Sequence, residues 1–150
     1  MTSMLKISDA AAIAFHSMIF LTVNNNKLIT VPEIAESFDI SENHLSKVLQ
    51  RLVKAALVES VKGPKGGFKL AKHPGIITFL DIYEAIDGII ENKCCLLGKK
   101  ICSKSICIMD DLLNSTNKQI KNYFKNKKLS DFLGIESEIT YLEDFPEECI

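Results

Sequence analysis

Four of the five cysteines in the chain fall within one stretch, CCLLGKKICSKSIC, between Cys94 and Cys107. Six residues separate Cys95 from Cys102, with Gly98 among them, and four separate Cys102 from Cys107. Thiolates are soft ligands, and iron–sulfur clusters are commonly held by cysteines at short spacings on loops of this kind. Zinc asks for four Cys/His ligands with at least one tight pair, and Cys102 with Cys107 meets that only at its loose end. A metal-free thiol switch would join Cys94 or Cys95 to Cys102 or Cys107, with Lys99, Lys100 and Lys104 lowering the thiol pKa. Plain buried cysteines are the remaining reading. Cys149 stands alone in an acidic tail.

The cysteine stretch lacks periodicity and reads as a loop, so the flanking elements must position it. Before it, Thr78–Ile86 reads as a helix with Phe79, Leu80, Ile82, Tyr83 and Ile86 apolar, and Gly88 follows. After it, Met109–Lys127 reads as a longer helix with a stripe of Leu112, Leu113, Ile120, Tyr123 and Phe124, and Leu129–Leu133 as an extra turn. The tail 134–150 holds six Asp/Glu and no Lys/Arg, and is expected to pack loosely at its end.

The N-terminal half reads differently. Ser8 caps a helix that runs from Asp9 to about Val23, with His16 at the edge of its core face. Thr30 caps a short helix that opens Val31-Pro32-Glu33. Ser41 caps a third, over about 42–55, with Leu45, Val48, Leu49, Leu52 and Val53 on one face. Asn43, His44, Lys47, Gln50, Arg51 and Lys54 lie on the other face. The last two helices have the spacing of a helix-turn-helix. LVESV and FKLAK then read as strands around the turn KGPKGG, which carries Lys62 and Lys65. Helix, helix and basic hairpin make the layout of a winged helix. The third helix would enter a major groove, and wing-tip lysines would neutralise phosphates.

Charge supports that placement. Net charge is −1, but Ser41–Gly75 carries seven Lys/Arg against two Asp/Glu. With hydrophobic residues at 47% and charged residues at 25%, the chain has ordinary globular composition. It has no apolar run long enough for a membrane span and no convincing secretory leader, so a cytoplasmic protein with no membrane partner is expected. There is no cofactor fingerprint, no Ser/His/Asp arrangement and no CxxC pair, so an enzyme is not expected.

The stretch TVPEIAESFDISENHLSKVLQRLVKAALVESVKGPKGGFKLAK, Thr30 to Lys72, closely resembles the DNA-binding region of the IscR/NsrR/CymR regulators. These form the Rrf family of bacterial winged-helix transcription factors. GPKGGF followed by KLA is the most specific part, KISDAAAIAFHSMIFL resembles the family's first helix, and the likeness covers roughly 1–133. It implies a mainly α fold with a small β-hairpin wing, a winged helix-turn-helix over 1–75. Residues 76–133 would hold the cysteine loop and a long C-terminal dimerisation helix, leaving 134–150 as the acidic tail.

The resemblance also implies roles. Metal-binding members carry a three-cysteine loop here, which makes Cys95, Cys102 and Cys107 ligands of an iron–sulfur cluster, with Cys94 as neighbour or substitute. The four-residue second gap, often five in the family, leaves 2Fe-2S and 4Fe-4S both open. A fourth ligand would be Asp9 from the opposite subunit. The alternatives are Asp110, where some members place a histidine, Cys94, solvent or a small thiol. DNA contacts would be Ser41, Asn43, His44 and Lys47 on the recognition helix and Lys62 at the wing, where the family often has Arg. The expected protein is a homodimeric repressor on a near-palindromic operator in double-stranded DNA. Its cluster would sense iron, redox state or nitric oxide. The alternative is a cluster-free regulator of the same family, gated by thiol oxidation, a small effector or a protein partner.

Overall fold

A computed structural model describes residues 7–91, 95, 107–109 and 111–134. Its first helix, α1 (Asp9–Val23), starts where Ser8 Oγ accepts from Ala11 N at 3.0 Å. Ala11, Ala14, Phe15, Met18 and Leu21 are all buried and fall at helical spacing, so they form one core-facing stripe along α1. Thr22 satisfies its buried hydroxyl by donating to the Met18 carbonyl at 2.7 Å. His16 lies at the surface, its ring edge-on to Phe38 at 5.8 Å.

Helix α2 (Val31–Phe38) is capped by Thr30 and Glu33. Thr30 N donates to Glu33 Oε2 at 2.7 Å and Thr30 Oγ1 to the same oxygen at 2.8 Å. Those two bonds, with Lys27 Nζ 3.1 Å from Glu33 Oε1, hold the Glu33 carboxyl down at about 2. Asp39 adopts a left-handed conformation at φ 51° and turns the chain into α3 (Glu42–Lys54). The buried face of α3 is Leu45, Val48, Leu49 and Leu52, at helical spacing.

Strands β1 (Val58–Val61) and β2 (Gly67–Leu70) form an antiparallel hairpin, with Glu59 opposite Lys69 and Ser60 opposite Phe68. The wing is not a free ribbon. Phe68 exchanges both backbone hydrogen bonds with Ile29, at 3.0 and 2.7 Å, which fixes β2 to the α1–α2 connection. Gly67 permits that contact: a Cβ there would stand 2.8 Å from the Ile29 carbonyl oxygen. At this glycine the close approach is to the protein's own backbone.

A short 3₁₀ turn (Pro74–Ile76) leads to α4 (Phe79–Asp87), capped by Thr78, whose Oγ1 accepts from Asp81 N at 3.2 Å. Helix α5 (Leu112–Asn126) is followed by a 3₁₀ turn (Leu129–Phe132). Phe79 N donates to the Lys127 carbonyl at 2.9 Å and Leu129 N to the Ile77 carbonyl at 3.1 Å, so the chain after α5 returns beside the start of α4. Phe15 stacks on Phe79 at 4.9 Å and meets Phe124 at 5.4 Å. One core therefore runs through both halves, from Leu45, Leu49 and Leu52 to Phe124 and Leu129. The fold is mainly helical with a two-stranded wing, as the sequence implies. Among the described residues, no helix is long and apolar enough to cross a membrane.

Candidate nucleic-acid interface and cysteine segment

The packing of α3 decides which of its side chains face outward. With Leu45, Val48, Leu49 and Leu52 buried, Ser41, Asn43, His44, Lys47, Gln50 and Lys54 are exposed. Ser41 serves its cap, accepting from His44 N at 3.4 Å. Lys62 and Lys65 are exposed at the hairpin turn. A groove of about 690 Å³ opens between the end of α3 and the wing, with Gln50, Lys54, Ser60 and Lys62 in its lining. Lys54 and Lys62 stand on its border together with Glu59 and the apolar Val53, Val58 and Phe68, while Ser41, Asn43, His44, Lys47 and Lys65 lie outside it. Gln50 and Lys54 join this border; their place on the polar face of α3 was the signal in the sequence.

Two basic residues are engaged elsewhere. Lys69 Nζ lies 3.4 Å from Glu59 Oε2, a cross-strand pair that supports the hairpin. Arg51 Nη2 donates to the Ile86 carbonyl in the last turn of α4. Nothing near Arg51 in sequence announces a partner thirty-five positions away.

The cysteine segment leaves α4 through Gly88, whose φ of 85° and ψ of −177° suit only glycine. It rejoins the described fold at Cys107 and α5. Asn117 Nδ2 of α5 reaches the Glu91 carbonyl at 3.5 Å, the outer limit of a hydrogen bond, so the exit from α4 runs beside α5. Cys95 and Cys107 are both half-buried. Cys94, Cys102 and Asp110 lie outside the described residues. Among the described residues no three His/Cys/Asp/Glu side chains converge as a metal site. Asp9 is exposed in the first turn of α1, beside Ser8, whose Oγ donates to Asp87 Oδ1 at 2.6 Å.

Beside this neck, α4 and α5 leave an apolar cavity of about 630 Å³, lined by Ile7, Tyr83, Ile90, Leu113, Ile120 and Phe124 among others. Burial, and secondarily the Asp87 charge, push the Tyr83 hydroxyl pKa up. On α5, Leu112 is 56% and Tyr123 62% exposed, and Ile108 just before it is 89% exposed, an uncommon density of apolar surface.

Residues 7–134 match the family model Rrf2, described as an iron-dependent transcriptional regulator. The chain belongs to the Rrf2 family of transcriptional regulators. An HTH-type transcriptional regulator of Aquifex aeolicus, described as putative, is 36% identical over 132 residues, which cover 86% of this chain and 92% of that one. The regulator NsrR of Bacillus licheniformis is 29% identical over 137 residues, covering 91% and 89%. The solved structure of CymR, the global cysteine regulator of B. subtilis, superposes with a TM-score of 0.75 at 26% identity, covering 85% of this chain and 95% of that one. An Rrf2 regulator is a DNA-binding protein and not an enzyme.

Proposed function

We propose that this Rrf2 protein is a homodimeric repressor whose operator affinity is set by an iron–sulfur cluster on the segment Cys94–Cys107. The observation that supports the reading is the pairing, on one short chain, of the exposed polar face of α3 and the basic wing with four cysteines between Cys94 and Cys107. The donor set fits the group. Cys95, Cys102 and Cys107 would hold it, with Asp9 of the opposite subunit, Asp110 or Cys94 completing the set. Such a cluster would supply a centre that iron supply, oxidants or nitric oxide can alter.

The chain's own residues do the rest. Ser41, Asn43, His44 and Lys47 meet base edges or phosphates, and Lys62 and Lys65 meet the backbone beside the wing. The exposed apolar side chains of α5 pair the two subunits, so two recognition helices face half-sites about 34 Å apart. A differential stabilisation of a few kcal/mol between cluster-bound and cluster-free forms suffices for a switch.

Anaerobic purification followed by visible absorption and iron and sulfide counts tests the reading, repeated on Cys102→Ala. A brown protein with matched iron and sulfide, bleached by the substitution, is expected. A colourless protein after reconstitution refutes it. In that case the likeness to CymR favours the second reading, a cluster-free regulator gated by thiol oxidation, a small effector or a protein partner.

A further inference from the structure

The C-terminal end of α4 is where three parts of the molecule meet. From the recognition helix, the Arg51 guanidinium donates to the Ile86 carbonyl. From the start of α1, Ser8 Oγ donates to Asp87 Oδ1 at 2.6 Å. One residue later, Gly88 turns the chain toward the cysteine segment. Asp87 is in an unfavourable place for a carboxylate, because the negative end of the helix dipole lies there. Arg51 stays exposed on the polar face of α3, yet its guanidinium is tied to a carbonyl on another helix. A carboxylate kept against the helix dipole, beside a guanidinium that ties the same helix end to α3, marks a site kept for something other than the stability of α4.

We propose that Arg51, Ser8 and Asp87 are positioning residues that make the end of α4 the mechanical joint between the cysteine segment and the recognition helix. The proposal rests on the regulatory reading above and names its route. A guanidinium on a helix-end carbonyl is a charge-assisted bond with a defined direction, so a displacement of residues 86–88 is passed to the last turn of α3. The Ser8 bond carries the same displacement to the first turn of α1, where Asp9 sits. Binding couplings are reciprocal, so DNA on α3 must in turn restrain the end of α4.

The test follows from that reciprocity. The probe is a duplex selected from a random-sequence pool by the wild-type protein at low salt. Amide hydrogen exchange is followed in residues 82–91, with and without the duplex. In wild type, DNA is expected to slow exchange there at least threefold. Arg51→Met abolishes the DNA-dependent difference, and Arg51→Lys, which keeps a cationic donor, restores most of it. Asp87→Ala and Asp87→Asn repeat the comparison on the Ser8 side, since Asn still accepts from the hydroxyl. A purely structural Arg51 would raise exchange in the free protein and leave the DNA-dependent difference intact. That result, or a wild type in which DNA leaves residues 82–91 unchanged, overturns the joint. Operator affinity of iron-loaded and chelator-stripped protein is measured alongside. A wild type that takes up no iron sinks the cluster reading alone, because the exchange comparison needs no metal.

Discussion

Replacing Gly67 by alanine isolates the coupling between wing and body. The new Cβ would lie 2.8 Å from the Ile29 carbonyl oxygen, 3.1 Å from its carbonyl carbon and 3.2 Å from its nitrogen. All three are backbone atoms, so no side chain can rotate out of the way. Either the α1–α2 connection shifts or the Ile29–Phe68 pair opens. Opening forfeits two backbone hydrogen bonds, at about 1 kcal/mol each, and loosens the half-buried Phe68 ring. Forcing the contact instead costs about 1–3 kcal/mol as overpacking. The two routes together bracket a loss of about 1–3 kcal/mol, which for a chain of this size is roughly 3–9 °C in Tm. Thermal unfolding by circular dichroism reads the loss, and exchange at the Ile29 and Phe68 amides locates it. The wing should also lose its fixed angle to α3, so DNA affinity falls. A Gly67→Ala protein with wild-type Tm and protected Ile29 and Phe68 amides would refute the reasoning.

The remaining predictions concern charge and assembly. Glu33 is depressed from 4.5 to about 2, so its contribution to stability is complete above pH 4.5 and is lost as pH falls toward 2. Its side chain is 41% exposed, which limits the effect to about 1 kcal/mol, and acid titration of Glu33→Gln should be flatter across that window alone. Lys62→Ala and Lys65→Ala should each reduce the slope of log affinity against log salt by about 0.9 for each phosphate left without its lysine, with little change in sequence preference, in fluorescence anisotropy titrations. If α5 pairs the subunits as proposed, wild type should sediment as a dimer and Leu112→Glu combined with Tyr123→Lys as a monomer in analytical ultracentrifugation, with operator affinity at least tenfold lower and far-ultraviolet circular dichroism unchanged.

Helix ends were the most legible features of the chain. Ser8, Thr30 and Ser41 stand where the sequence puts caps, because capping is decided by residues three or fewer positions apart, and Thr78, read as the first helical residue, is the cap of α4. The wing was equally readable from its turn chemistry, and α5 begins three residues later than its apolar pattern suggests. The candidate DNA-contacting residues of α3 follow from that helix alone, since its buried stripe dictates the opposite face, and Lys62 and Lys65 follow from the turn of the wing. What the sequence hides is long-range pairing. Arg51 has the look of another phosphate contact, Lys69 of another wing cation, and Ile29 of an ordinary loop residue. Lys69 has its partner set by the register of the hairpin, Arg51 and Ile29 theirs by tertiary packing, and no local pattern encodes a carbonyl on another helix or a strand that arrives about forty residues later. Cys95 and Cys107 sit at the two ends of the described structure around the segment, but the ligand set itself includes Cys102, outside the described residues.

The neck between Glu91 and α5 has a consequence for how such a protein can diversify. Both banks of the cysteine segment are held by elements already committed to the common core: α4 through Ile82 and Ile86, α5 through Phe124. The intervening chain is therefore an exchangeable cassette. Closure entropy grows only logarithmically with length, about 0.6 kcal/mol per doubling, so residues can be gained or lost there at little expense to folding. A single scaffold can then carry segments of different length and thiol spacing while the exposed face of α3 is inherited unchanged.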